Sequence, residues 1–123
     1  MNFSRLTTLA SATVAATQAR LPAAVRGVAT GVPVHFEPKP SEDIIKEGLE
    51  SDILGLFSGP AYGDARGEDN LVPPQIFLYL ENIWDFAEGD IGVFNEEVRL
   101  TYLHELGHYL GWDEDDLTAR GLD

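Results

Sequence analysis

The sequence predicts an α+β fold. Three observations lead there: a helical pattern over the first 30 residues, short apolar runs punctuated by Gly and Pro in the middle, and a long capped helical pattern near the end. The chain has 123 residues, of which 44 % are apolar and 24 % charged, an ordinary mix for one packed core. We therefore expect a single domain over residues 1–123, with N-terminal helices, a small mixed β-sheet and a short helix at the C-terminal end.

Phe3, Leu6, Leu9, Ala10, Thr13 and Val14 recur at helical spacing, so residues 1–20 read as an amphipathic helix capped by Ser4. A targeting peptide is the other reading of this Ala-, Thr- and Ser-rich segment, which has Arg5 and Arg20 but no acid. Leu6–Ala19 is too interrupted by Thr and Ser to cross a membrane, which takes about 20 apolar residues. It is also a poor secretory core, so the expected location is cytoplasmic. Pro22 opens a short helix over Ala23–Ala29, and Gly31 ends it. Residues 32–36 read as a strand, with Pro33 marking its start or an edge. Ser41-Glu42-Asp43 can start a short helix through Glu50. Residues 53–59 form a second strand candidate, followed by a loop rich in Gly, Asp and Pro over 59–74. Residues 75–80 (QIFLYL) make the strongest strand, while Ile83–Phe86 is ambiguous.

The last long helix is the clearest element. Asn95 is the expected N-cap, with Glu96 and Glu97 in the first turn facing the positive end of the helix dipole. Val98, Tyr102, Leu106 and Tyr109 mark one stripe, and Leu103 and Leu110 a second. Gly111 supplies the left-handed stop. A small helix follows, opened by Asp113 and closed near Gly121.

Charge and composition remove several function classes. Twenty-one acids against eight bases give −13, the wrong sign for a nucleic-acid partner or an anionic membrane surface. All the acids fall after residue 36, where the net charge reaches −16. The chain has no cysteine, which excludes disulfides, thiol catalysis and cysteine-ligated metals.

The chemistry lies in His104-Glu105-Leu106-Gly107-His108. Four residues is just over one helical turn, so His104 and His108 leave the same face, about 6 Å apart at the base, and can bind one divalent ion. Glu105 is rotated by about 100° from His104 and can reach a water beside that ion. This is the H-E-x-x-H arrangement, in which zinc acidifies a water to a pKa of about 7 and the carboxylate takes its proton. The competing reading is a polar helix face with two surface histidines. Three features weigh against that: the five residues lie inside a capped helix, two of the three histidines are used, and the pattern extends downstream. The extension reads H-E-x-x-H-x-x-G-x-x-E, ending on Glu114. Zinc takes a third protein ligand, and Gly111 lets the chain swing back to supply one. The extension resembles that of metzincin peptidases, in which the residue three after the Gly supplies the third ligand; the resemblance implies Glu114 here, with Asp113 and Asp115 as close competitors. Asp113 with Asp116 also resembles a capping pair, and the spacing of the acids does not match a calcium loop.

The chain resembles the small zincin-like metallopeptidase family of bacteria. The resemblance is carried by VPVHFEPKP (32–40), LGLFSG (54–59), PQIFLYL (74–80) and LHELGHYLGWDEDDLTARGL (103–122), and covers residues 1–20 only loosely. It implies a minimal zincin-like fold with zinc on His104 and His108, Glu105 as general base, and an acid after Gly111 as third ligand. True metzincins carry a Met-containing turn after the motif, whereas the only Met here is Met1. In such enzymes an edge strand lines the cleft. Ile76–Leu80 is the candidate, against the reading that it is a central core strand. Tyr102, Tyr109 and His35 are candidates to stabilise an oxyanion, although His35 in an apolar strand is more often structural. Trp84, Phe86 and Trp112 are expected to cover the core.

The expected function is zinc-dependent hydrolysis of a peptide or protein substrate, with Glu105 catalytic and Zn2+ on His104, His108 and Glu114. The net charge favours neutral or basic substrates. The alternative is a metal-binding, peptidase-like domain with little or no catalysis that acts through a protein partner. A third reading has the histidine pair without metal.

Overall fold

The structure is a computed structural model that describes residues 1–63 and 73–120, except the side chain of Glu114. Most of the loop expected over 59–74, and the Gly121 helix stop, lie outside the described residues. The elements run α1 (Phe3–Ala19), α2 (Ala23–Ala29), β1 (Val34–Glu37), α3 (Glu42–Lys46), β2 (Gly55–Ser58), β3 (Gln75–Tyr79), α4 (Leu80–Phe86), α5 (Ile91–Leu110) and α6 (Glu114–Ala119). This is the expected α+β arrangement of helices around a small mixed sheet.

The helix starts follow capping chemistry, at positions that differ in part from expectation. Asn2, not Ser4, caps α1 by accepting from the Arg5 N–H at 2.8 Å. Leu6, Ala10, Val14 and Thr17 then fall on one buried stripe. Pro22 opens α2 as expected, and Ser41 caps α3, which stops at Lys46 rather than Glu50. The larger correction concerns α5. Its cap is Asp90, which accepts from the Val93 N–H at 2.9 Å, so the helix begins a full turn before Asn95. Phe94 explains the longer helix: it is fully buried and meets Trp84 edge-on, with ring centroids 5.8 Å apart. Burial of that ring outweighs the weak helix preference of Ile91-Gly92-Val93. Ile83–Phe86 is helical and belongs to α4. Trp84 packs on the core, but Phe86 is exposed, a second correction.

The sheet order is β1-β3-β2, with β1 parallel and β2 antiparallel to β3. The 75–80 segment is therefore the central strand and not the cleft edge. Ile76 and Leu78 are fully buried, as a central strand on a core requires. The core joins them to Leu6, Ala10 and Val14 of α1, Ile83 of α4, and Phe94, Val98, Tyr102 and Leu106 of α5. The long helix α5 thus lies between α1 and the sheet, in contact with both β2 and β3. Among the described residues, no helix is long and apolar enough to cross a membrane.

Candidate metal centre

The last turns of α5 present the three motif residues together. His104 and His108 stand one turn apart with ring centroids 4.6 Å apart. Glu105 is turned toward the sheet and is buried at 6 % exposure, while the His108 side chain is 52 % exposed. Ligand-capable atoms of His104, Glu105 and His108 all lie within 4.8 Å of one another. Glu105 Oε1 is 3.3 Å from His108 Nδ1.

A strand far away in sequence fixes the carboxylate. Tyr79 donates its N–H to the Leu54 carbonyl at 2.9 Å, so in the β2–β3 register Leu54, Leu56 and Ser58 point their backbone groups at β3. Gly55 and Phe57 then face outward, and the Phe57 N–H donates to the Glu105 carboxylate. Approach this close requires Gly55. A Cβ there would sit 2.6 Å from Thr101 Cγ2 and 3.3 Å from Glu105 Cγ. The strand along the cleft is therefore β2, an edge strand, in place of the expected Ile76–Leu80. Burial pushes the Glu105 carboxyl above its ordinary range, and His108, His104 and the Phe57 N–H pull it partly back. Tyr79, at the end of β3, is pushed up to about 12 by burial and by the charges of Glu37 and Glu105, so its hydroxyl keeps its proton.

Beyond the helix the chain turns as expected. Gly111 adopts φ 74°, and the Trp112 N–H returns to the Gly107 carbonyl at 2.7 Å. Asp113 caps α6 and forms a reciprocal capping box with Asp116 at 2.8 and 3.0 Å. Asp113 also lines a cavity of about 410 Å³ with His104, His108, Gly111 and Trp112. Asp115 is exposed, and the Glu114 side chain lies outside the described residues. Trp112 lies half-buried beneath Arg120, whose guanidinium carbon is 4.1 Å from the ring centroid.

The family model for zincin-like metallopeptidases matches residues 29–122. The chain belongs to the zincin-like metallopeptidase family. No curated protein matches it. Membership implies zinc, and His104 and His108 fit that ion as ordinary imidazole ligands one helical turn apart.

The oxyanion candidates of this zincin-like protein sort clearly. Tyr102 is fully buried and its hydroxyl accepts from Gln18 Nε2 at 3.0 Å, on the side of α5 that faces α1. His35 is exposed and stacks on Phe77 at 5.1 Å on the sheet. Tyr109 remains beside the motif, between Phe57 at 5.6 Å and Tyr62 at 5.7 Å. Sequence reasoning missed Phe57, Gly55 and Tyr62. The Gly within the 53–59 strand was the one usable signal, since Gly in a strand marks close approach.

Proposed function

We propose that this chain is a zinc-dependent peptide hydrolase in which His104, His108 and Glu114 hold the metal and Glu105 is the general base. The supporting observation is the placement of the Glu105 carboxylate. It is desolvated, held by the Phe57 N–H, and within 4.8 Å of both histidines. Zinc, when bound, supplies a Lewis acid that polarises the amide carbonyl and acidifies water. Glu105 takes the proton of the attacking water and returns it to the leaving amine. Its raised proton affinity suits both halves of that task. Family membership supports the metallopeptidase class, and the peptide or protein substrate is our reading of it.

The test compares zinc-loaded parent, Glu105→Gln and His104→Ala on a mixed peptide library, with zinc content measured on each. We expect Glu105→Gln to retain zinc and lose turnover by a factor of about 10² or more, and His104→Ala to lose zinc. Equal turnover by parent and Glu105→Gln removes Glu105 as the base. Zinc binding without turnover in any preparation moves the assignment to the partner-dependent, non-catalytic class.

A further inference from the structure

A cavity of about 470 Å³ lies away from the metal centre, where the C-terminal half of α1 faces the N-terminal part of α5. None of the three motif residues lines it. Leu21 and Leu103, each 3 % exposed, give its wall an apolar part. The polar part is made of donors. Thr13, Arg20 and Asn95 line the cavity, and their side chains have no hydrogen-bond or ion-pair partner among the described residues. Asn95 Oδ1 is sealed from solvent, so the amide meets the cavity through Nδ2. Glu96, the acid in the wall, already accepts from Arg99 through two bonds of 3.1 and 2.6 Å.

We propose that this cavity binds a small apolar carboxylate, its charged end at Arg20 and Asn95 and its hydrocarbon part against Leu21 and Leu103. Free donors call for an acceptor, and a carboxylate brings two oxygens that accept most strongly from a guanidinium. Charge selects the same class. Two arginines against one glutamate leave the wall net positive, whereas the chain carries −13, so an anion is repelled by the rest of the surface and drawn here. Size limits the body of the ligand. The volume lies in the lower half of the roughly 300–1,000 Å³ of ligand pockets, which suits one residue-sized molecule. The apolar part of the wall disfavours a bare inorganic anion, which gains nothing from Leu21 and Leu103. Two sources share this chemistry: a free short-chain acid and the C-terminal residue of a peptide. The inference does not depend on the peptidase reading. Thr13, Arg20 and Leu21 precede the residues 29–122 matched by the family model, and α5 shows this cavity Asn95, Arg99 and Leu103, a different stripe from the one that bears the histidines.

The experiment follows the backbone amide NMR signals of the full-length, zinc-loaded protein during titration with isovalerate, with acetylleucine, and with the neutral amide of each. An acid that occupies the cavity should shift signals over residues 13–21 and 92–103. It should bind at least about tenfold more tightly than its amide, as expected for hydrogen bonds to a charged group. Binding of isovalerate there identifies a free acid as sufficient, and binding of acetylleucine alone identifies a peptide C-terminus. Arg20→Gln should bind acid and amide alike. Ala16 is exposed on α1 and lines the cavity, so Ala16→Phe should fill it and abolish binding while the circular dichroism spectrum stays that of the parent. No shift with either acid at about 10 mM overturns the inference, as do equal affinities of acid and amide for the parent. Shifts confined to the surroundings of His104 and His108 overturn it too, because they place the acid at the metal. An Arg20→Gln protein that still prefers the acid tenfold, or an Ala16→Phe protein that binds as the parent does, refutes the assigned position.

Discussion

Replacing Gly55 with Ala should separate the cleft strand from the catalytic helix. The added Cβ would lie 2.6 Å from Thr101 Cγ2, 3.1 Å from the Phe77 carbonyl oxygen and 3.3 Å from Glu105 Cγ. Carbon–carbon contacts are comfortable at about 3.5–4.0 Å, so β2 must retreat by about 1 Å or Thr101 must yield. Thr101 is β-branched and 8 % exposed, so it has little rotamer freedom to offer. A retreat of that size also stretches the hydrogen bond from Phe57 to Glu105. Overpacking of this kind costs about 1–3 kcal/mol, and the loss of a hydrogen bond to a charged group about 1.5–3. These overlap, and we expect about 2–3 kcal/mol together, or a Tm lowered by about 10 °C for a domain of this size. Urea and thermal unfolding followed by circular dichroism would measure it. Thr101→Ser deletes the obstructing methyl and should cost about 1 kcal/mol alone. Combined with Gly55→Ala it should recover at least about 1 kcal/mol relative to the sum of the single changes. Strictly additive costs, or a Gly55→Ala protein as stable as the parent, would refute the packing argument.

Three further predictions follow from buried polar groups. Burial raises the Glu105 carboxyl above 4.5, so the folded protein holds that proton more tightly than the unfolded chain. The resulting stability is full below about pH 4.5 and is lost as pH rises through the folded value. Metal-free Glu105→Gln should therefore gain Tm relative to parent between pH 4.5 and 8, and a difference that shrinks over that window contradicts the assignment. Tyr102→Phe removes the hydroxyl that accepts from Gln18 across the α1–α5 interface and should lower stability by about 1 kcal/mol in urea titration. Asn95 Oδ1 is buried without a hydrogen-bond partner among the described residues. Asn95→Ala should therefore be neutral or stabilising by up to about 1 kcal/mol, and a clear loss of Tm would show that the amide is satisfied in solution.

The His104-Glu105-His108 face was legible because helical spacing alone brings side chains four residues apart together. The Gly111 stop and the Asp113–Asp116 box were legible for a similar reason, since both are local backbone devices. The groups that hold Glu105 in place were not. Phe57 acts through its N–H, which every non-proline residue carries, and it reaches Glu105 only because β2 is the outer antiparallel strand. Nothing in residues 53–59 or 75–80 distinguishes edge from centre, and the more apolar run turned out to be the middle strand. The displaced cap of α5 has another origin. Asn95-Glu96-Glu97 satisfies the local rules for a helix start, and only the burial of Phe94 in the assembled core makes Asp90 the better one.

The match to the family runs from residue 29, yet α1 ends before it. Leu6, Ala10 and Val14 nonetheless form part of the packed interior, and Gln18 bonds the rear of the helix that bears the histidines. The family match and the packed core therefore have different borders. An excised 29–122 fragment would retain every metal-binding side chain assigned here while leaving one wall of its own interior wet.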